Sequence, residues 1–215
     1  MTQTKRRIRR TKDESQKLIL EAAEKLLIEG GASAVQVRAV GNAVGITDAA
    51  VNHHFGNRDK LLAELLRHGG RRLKTELKLA VENLGTDDFS VDELINVLCA
   101  IYYDQGYADL ALGLHLSGWR DKGTGLLNPV VDALHEVRCA LYAEAGITAP
   151  PIQDIRFVVA MMHQALALGP IFGRAFGRSA GLIQPKDGGL AQQKSWWRSI
   201  IQEQLLTVRE SDCPV

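Results

Sequence analysis

Ser33–Phe55, with the sequence SAVQVRAVGNAVGITDAAVNHHF, contains two short predicted helices joined by a glycine. In the first helix apolar residues recur at the spacing of a helix face, at Val37, Val40 and Val44. Gly41 lies on the same segment, at a position where another helix could cross closely. Gly45 breaks the pattern, and the Thr47 hydroxyl can cap a second helix that buries Val51.

Two short helices joined by a three- or four-residue turn that contains glycine are typical of a helix-turn-helix. In that motif the second helix enters the major groove, and its first residues meet base edges. The alternative is two ordinary core helices with a glycine cap. A basic arm before this stretch, the closing sequence Phe55-Gly56-Asn57 and the long amphipathic helix after it favour DNA binding.

The composition is that of a soluble protein. The 215 residues are enough for one large domain or two small ones, and the apolar share of 46% is ordinary. No apolar run reaches the eighteen or more residues of a membrane span, and no apolar block follows the basic N-terminus, so we expect no secretion and a cytoplasmic protein. The three cysteines are far apart without metal-ligand spacing, which predicts no metal and no cofactor.

Charge is distributed unevenly along the chain. Residues 1–60 carry a net charge of +4 and the remainder −3, which indicates that only the N-terminal part binds a polyanion. Residues 1–12 hold six basic side chains and no acid. Such an arm contacts phosphates or enters a minor groove when it lies beside a groove-binding unit. The alternative is a solvated basic tail.

Helical periodicity continues over the rest of the chain, without strand-like alternation of useful length. The sequence therefore predicts an all-α fold of about nine helices. The predicted helices cover approximately residues 13–29, 37–44, 48–54, 58–84, 90–105, 107–119, 128–146, 151–168 and 190–208.

Three segments in this order resemble the N-terminal domain of the TetR family of transcriptional regulators. They read ILEAAEKLLIEGG, VRAVGNAVGIT and HHFGNRDKLLAELL. The resemblance runs without gaps from Leu18 to Leu65, about a quarter of the chain. Because order and spacing agree over the whole stretch, it is more specific than any single short motif.

The resemblance implies a cytoplasmic homodimer that represses transcription from a palindromic operator and has no enzymatic activity. It implies a basic arm at residues 1–12, a helix-turn-helix domain at 13–73, and a helical ligand-binding and dimerisation domain at 74–215. A small effector would change the separation of the two DNA-binding heads and release the double-stranded DNA.

Three residues depart from the family pattern. Asn52 stands where a tyrosine is usual, and it can pair bidentately with adenine. Val35 stands where Thr or Ser is frequent and cannot cap the following helix, so Gln36 is the candidate substitute. Asp48 replaces a frequent Lys or Arg; it can accept from cytosine N4, or it simply supports the helix N-terminus.

The DNA contacts are carried over position by position. They are Gln36, Arg38, Thr47, Asp48, Ala49, Asn52, His53 and Lys60. Thr47 and Lys60 are predicted phosphate contacts, and Ala49 can meet a thymine methyl. His53 can reach a base or a phosphate.

The resemblance implies an effector pocket among helices four to eight, lined by polar and aromatic residues on apolar faces. The candidates are Tyr102, Tyr103, Tyr107, His115, Trp119, Met162 and His163. His115 and His163 rank first because a buried imidazole needs a hydrogen-bond partner. Aromatic and Met side chains at helical spacing are more often plain core. The absence of a basic cluster in this part of the chain favours a mostly hydrophobic or aromatic effector.

Glycines recur every fourth residue from Gly169 to Gly181, which predicts either a helix with a smooth strip or a glycine-rich loop after Pro170. The helix 190–208 is broadly apolar. In the family the last two helices pair across the dimer, which gives these interface candidates: Phe172, Phe176, Trp196, Trp197 and Ile200. One of the two tryptophans is expected to serve the core of its own chain.

Two other classes of function are alternatives to a ligand-responsive regulator. An enzyme would need converging nucleophile, base or metal groups, and the separated histidines of the chain do not provide them. A constitutive or architectural DNA-binding protein without effector control would bind DNA without sequence preference and with a steep salt dependence. The large helical body argues against that alternative.

Overall fold

The computed structural model describes residues 11–82, 91–120, 123, 125–183 and 189–208. Over these residues the chain is helical and contains no strand, which confirms the all-α prediction. The helices are α1 Lys12–Ala34, α2 Val37–Val44, α3 Asp48–Phe55, α4 Arg58–Glu82, α5 Val91–Cys99, α6 Tyr107–Leu116, α7 Asn128–Glu144, α8 Gln153–Ser179 and α9 Leu190–Leu205. A π-helical turn, Ala100–Asp104, continues α5.

α1 begins with a capping box, which satisfies two backbone N–H groups that the helix itself cannot bond. Glu14 N–H donates to the Thr11 hydroxyl oxygen at 3.2 Å, and Thr11 N–H donates to the Glu14 carboxylate at 2.7 Å. The regular helix is interrupted at Gly30 and Gly31, as the sequence predicts, and a last short turn leads to Ala34.

The described residues form two compact units. One extends through His68 and includes Asp109–Arg120; the other comprises Gly69–Ala108 and the described residues from Gly123 onward. The predicted domain boundary at residue 73 stays a prediction.

The core of the first unit is built where α1, α2 and α3 pack against each other. α1 contributes Ile19 and Ala23, α2 contributes Val40, and α3 contributes Val51, all without solvent exposure. Removing these apolar side chains from water is the main force that holds such short helices in place, because eight-residue helices are marginal on their own. The two short helices therefore depend on α1.

In the second unit α8 packs against α5, the π-helical turn, α7 and α9. Buried apolar residues on one face of α8 carry this packing: Ile155, Val159, Met162 and Leu166. The link between α7 and α8 is held by Arg138, whose buried guanidinium donates to the Asp154 carboxylate at 2.7 Å and to the carbonyl of Pro151 at 2.7 Å. Arg198 of α9 pairs with Asp92 of α5 at 2.6 Å.

The glycine-rich stretch after residue 168 is helical, so the loop alternative is wrong. α8 continues through Pro170 to Ser179, and only Gly181 lies beyond it, in a turn. α8 is 27 residues long, and an 18-residue window reaches a mean hydropathy of 1.5. α8 is therefore long and apolar enough to cross a membrane. The packed core helices of soluble proteins share this length and composition, so the property is weak evidence for a membrane span.

The glycine pair Gly69-Gly70 does not interrupt α4, which is helical from Arg58 to Glu82. A Cβ on Gly69 would overlap the ring of Tyr107. In the structure Gly69 makes room for an aromatic ring.

Candidate functional site

The turn between α2 and α3 is fixed by backbone geometry and one side-chain cap. Gly45 ends α2 in the left-handed conformation at φ 76°, and Ile46 N–H donates to the Gly41 carbonyl at 2.9 Å. This six-to-one bond is the closing bond of a Schellman motif, where glycine is favoured. The Thr47 hydroxyl then accepts from Ala50 N–H at 3.2 Å, so the predicted cap of α3 is confirmed.

The turn folds back onto Gly41, which is buried. A Cβ at this position would lie 2.9 Å from the backbone oxygen of Ile46 and 3.6 Å from the Asp48 carboxylate. The sequence suggested a crossing helix near this glycine, but the neighbour is the turn itself. Because the nearest partner, the Ile46 oxygen, belongs to the backbone, it cannot rotate away as a side chain would.

α3 has two different faces. Val51 is fully buried against the unit, whereas the polar face is exposed: Asp48, Ala49, Asn52 and His53. Thr47, at the N-terminus of the same helix, is exposed as well. The exposed face of α3 therefore carries hydrogen-bonding side chains and one small methyl group, the chemistry that reads base edges.

Three further predicted contacts lie outside α3 and are also exposed. Gln36 and Arg38 stand at the start of α2, and Lys60 stands in the first turn of α4. Gln36 precedes α2 but makes no side-chain cap; its amide donates to the Ser33 carbonyl at 2.8 Å. All eight predicted contacts are thus available on the surface, and their binding to DNA stays a prediction.

The basic arm lies mostly outside the described residues, which begin at Thr11. Lys12, its last basic residue, starts α1 and is exposed. Burial, followed by the nearby charges of His53 and Lys12, lowers the pKa of His54 below its ordinary value. His54 is therefore predominantly uncharged at neutral pH, and its buried Nδ1 has no hydrogen-bond partner among the residues that the structure describes. A packing role beside α1 agrees with this state.

The strongest cluster of predicted effector residues surrounds the π-helical turn, a type of helix irregularity that recurs at functional sites. The Tyr102 hydroxyl and His163 Nε2 are 2.6 Å apart. The neighbouring Tyr103 hydroxyl donates to the Gln193 side-chain oxygen at 3.0 Å. Burial, followed by the influence of Cys99, raises the pKa of Tyr103 to about 12. Two adjacent phenols of one turn are thereby held by α8 and α9.

The other predicted pocket residues are spread over both units. Tyr107 and Met162 are almost completely buried in the second unit, whereas His115 and Trp119 belong to the first. His115 is exposed, so the argument from a buried imidazole does not hold for it. Of the two histidines ranked first, His163 alone meets a phenol at hydrogen-bond distance among the described contacts.

Burial lowers the pKa of His163 below 6.5, because desolvation disfavours the imidazolium. We expect its ring to titrate below pH 6.5 in an NMR pH series. The unfolded chain takes up this proton first, so the stability contributed by neutral His163 is complete above pH 6.5 and is lost as the pH falls towards the folded pKa. The His163→Asn variant assigns the signal and should remove this part of the pH dependence. A midpoint at or above 6.5 would contradict the burial argument.

The predicted interface residues of α8 and α9 differ in exposure. Phe176 and Trp196 are 61% and 57% exposed, and Phe172 stacks on Phe176 at a centroid distance of 5.7 Å. Trp197 is only 7% exposed, which agrees with the expectation that one tryptophan serves the core. Its indole contacts that of Trp196 edge-on at 4.8 Å.

Two residues of this surface were not among the sequence candidates for it. Phe157, 63% exposed, and Met161 lie in the first half of α8. Their spacing to Phe172 and Phe176 places all four on one side of the helix. Periodicity alone cannot say which side of an apolar helix meets its own core, so no sequence signal distinguishes these two residues as exposed. These four residues of α8 and Trp196 of α9 are all exposed, and the set is called here the α8–α9 stripe.

Comparison with known proteins adds a family match. The model of "Bacterial regulatory proteins, tetR family" matches residues 19–65. The HTH-type transcriptional regulator BetI of Brucella abortus is 28% identical over 79 residues, which cover 37% of this chain and 40% of that protein. The match to the curated relatives thus spans less than half of their length.

Solved structures agree in fold over a longer range. A fatty acid degradation regulator, FadR, of Bacillus halodurans superposes with a TM-score of 0.51 at 15% identity, covering 90% of this chain and 99% of that one. A transcriptional regulator described as putative, from Rhodococcus sp. RHA1, gives a TM-score of 0.50 at 13% identity, covering 92% of this chain and 97% of the other. At these identities the likeness concerns the fold.

Proposed function

We propose that this chain is a member of the tetR family of bacterial regulatory proteins, whose model matches residues 19–65, and that it acts as a ligand-responsive repressor. It binds a palindromic operator as a homodimer and is released by a small effector. The observation that carries this proposal is the exposed polar face of α3 opposite the buried Val51. A recognition helix needs this division, with apolar anchoring on one side and hydrogen-bonding groups on the other.

The exposed residues receive roles by their chemistry. Asn52 pairs with adenine, and Ala49 meets a thymine methyl. Thr47 and Lys60 contact phosphates and set the register of the protein on the duplex. Asp48 either accepts from cytosine or supports the start of α3, and the basic arm at residues 1–12 adds further phosphate contacts.

The α8–α9 stripe is the proposed homodimer interface, with Trp196 as an anchor. Its exposed aromatic side chains support this role, because large contiguous apolar patches on soluble proteins mark interaction sites. A twofold arrangement would place the same stripe of both copies in contact. Ile200, half-buried on α9, follows Trp196 by four residues and so lies on the same side of that helix.

The proposed effector is a small, mostly hydrophobic or aromatic molecule bound near the π-helical turn. Tyr102, Tyr103 and His163 support this choice, because they bring hydrogen-bonding groups together around one turn of the second unit. An effector that binds the DNA-free form more tightly shifts the protein away from the operator.

Selection of the purified full chain against random duplex DNA, followed by sequencing, tests the proposal. We expect an enriched palindrome whose half-site spacing equals the distance between two recognition helices. The absence of enrichment, with binding that vanishes in moderate salt, would favour a DNA-binding protein without sequence reading.

Asn52→Ala is expected to change the base preference at one position in each half-site, with a loss of about 1–3 kcal/mol for the preferred base. The same selection measures the change. Asn42→Ala is the matched control, since Asn42 is an exposed asparagine of α2 outside the predicted contacts. An unaltered preference at every position would remove Asn52 from the base-reading residues.

A further inference from the structure

The link between α1 and α2 is irregular backbone. Gly30 and Gly31 depart from helical geometry, and Val35, which ends α1, has φ −77° and ψ 80°. Backbone carbonyls of such a link cannot all be bonded within a helix and need other donors. Val35 is completely buried, so water does not reach its side chain.

Arg58 supplies those donors from a distant part of the sequence. Its Nε donates to the Val35 carbonyl at 2.8 Å, and its Nη2 donates to the Ala32 carbonyl at 2.6 Å. Both bonds leave from one edge of the planar guanidinium, so the two carbonyls are held in a fixed relation. Hydrogen bonds from a charged donor are stronger than those between neutral groups, and Arg58 is half-buried.

Because of its position in the chain, Arg58 joins two turns that are far apart in the sequence. It is the first residue of α4, directly after the turn that ends α3. The preceding Asn57 accepts from Lys60 N–H at 2.9 Å, so the start of α4 is itself fixed. One side chain therefore joins the turn before α2 to the turn after α3, the two ends of the helix-turn-helix.

The buried Val40 anchors α2 in the core, but the first turn of α2 has no side-chain cap. The helix is eight residues long, and Gln36 before it provides no side-chain cap. The side chain of Gln36 bonds to Ser33 within the same link, which does not tie the link to another helix. Within the contacts described for this link, Arg58 is the side chain that reaches it from α4.

We infer that Arg58 is a positioning residue for DNA reading, which holds the start of α2 in register with α3 through the carbonyls of Ala32 and Val35. These two hydrogen bonds of Arg58 are called here the Arg58 clamp. Gln36 and Arg38, two of the predicted contacts, closely follow Val35 in the chain. The inference rests on the proposed function, because it concerns how the proposed contacts are aligned. It assigns to Arg58 an inward role rather than contact with DNA.

The test compares Arg58→Met with Arg67→Met in the full chain. Both remove one positive charge from α4, but Arg67 is exposed and pairs with Glu64 of its own helix. Affinity is measured for the selected operator and for a scrambled duplex of equal length. We expect the ratio of specific to non-specific affinity to fall about tenfold in Arg58→Met, as for the loss of one aligned base contact, and to stay unchanged in Arg67→Met.

A role in stability alone would lower the folded fraction and reduce both affinities together, leaving the ratio at its wild-type value. That result would overturn the inference, as would an equal fall of the ratio in Arg67→Met. Arg58→Lys, which keeps the charge but lacks the two-donor edge, is expected to give an intermediate ratio.

Hydrogen exchange in the DNA-free protein separates this inference from the proposed function. The backbone amide of Val40, which donates to the Gln36 carbonyl in the first turn of α2, should exchange about tenfold faster in Arg58→Met and at the wild-type rate in Arg67→Met. Unchanged exchange in Arg58→Met would overturn the Arg58 clamp. A wild-type protein that selects no DNA sequence would instead overturn the proposed function, whatever the exchange result.

Discussion

The double variant Phe176→Glu/Trp196→Glu is expected to be a folded monomer that binds operator DNA about 10²–10⁴-fold more weakly than the wild type. Both side chains are more than half exposed and lie on the α8–α9 stripe. Carboxylates placed opposite each other across a twofold interface repel and must be desolvated, which opposes association. A monomer reads one half-site and loses the gain in effective concentration that the second head provides.

Sedimentation measures the mass of the variant, and titration of the selected operator measures its affinity. The buried Trp197 is left intact, so the core of the second unit should be preserved and the circular dichroism spectrum unchanged. Leu79→Glu is the matched control, because Leu79 is an equally exposed apolar residue, 58%, on α4 outside the stripe. A double variant that remains dimeric would show that the stripe is not the interface.

Gly41→Val is expected to abolish specific DNA binding and to destabilise the first unit by at least about 1–3 kcal/mol, the usual range for an overpacked site. Its Cβ would lie 2.9 Å from the Ile46 backbone oxygen, which belongs to the turn that positions α3. The turn must move to accept the side chain. Moving it breaks the bond from Ile46 N–H to the Gly41 carbonyl, which fixes the start of α3.

Urea unfolding followed by circular dichroism measures the loss, and operator titration measures the effect on binding. Gly70→Ala is the control of opposite sign. A Cβ on Gly70, inside α4, meets nothing within 4 Å, so this substitution should stabilise the protein by about 0.5–1 kcal/mol through helix propensity. Wild-type affinity in Gly41→Val would show that the turn tolerates displacement and would contradict the packing argument.

Local features of the fold could be predicted because their causes lie within a few residues. The αL end of α2 at Gly45 and the Thr47 cap of α3 each depend on neighbours no more than four or five positions away. The amphipathic pattern that buries Val51 and exposes Asn52 is contained within the single helix α3. These local motifs lie within residues 19–65, the segment that matches the tetR family model, so the resemblance could be recognised from the sequence.

The local sequence did not determine the structure where a segment was compatible with two conformations. The four glycines and Pro170 are compatible with a helix or a loop at the end of α8, and in the structure this segment is helical to Ser179. A proline costs one backbone hydrogen bond, but neighbouring contacts along a long helix can compensate for it. The reason for a glycine at position 69 is also not local. The ring that a Cβ there would meet belongs to Tyr107, almost forty positions along the chain.

By itself the sequence determined the helical class, the helix-turn-helix and the residues on the outer face of α3, since helical periodicity and capping are properties of short segments. Only the tertiary structure decided that Trp197 is buried beside an exposed Trp196, that His163 meets Tyr102, and that Arg58 holds the carbonyls of Ala32 and Val35. Each of these depends on which helices pack together. The sequence pattern predicts which face of a helix is apolar, but tertiary packing determines which other helix covers that face.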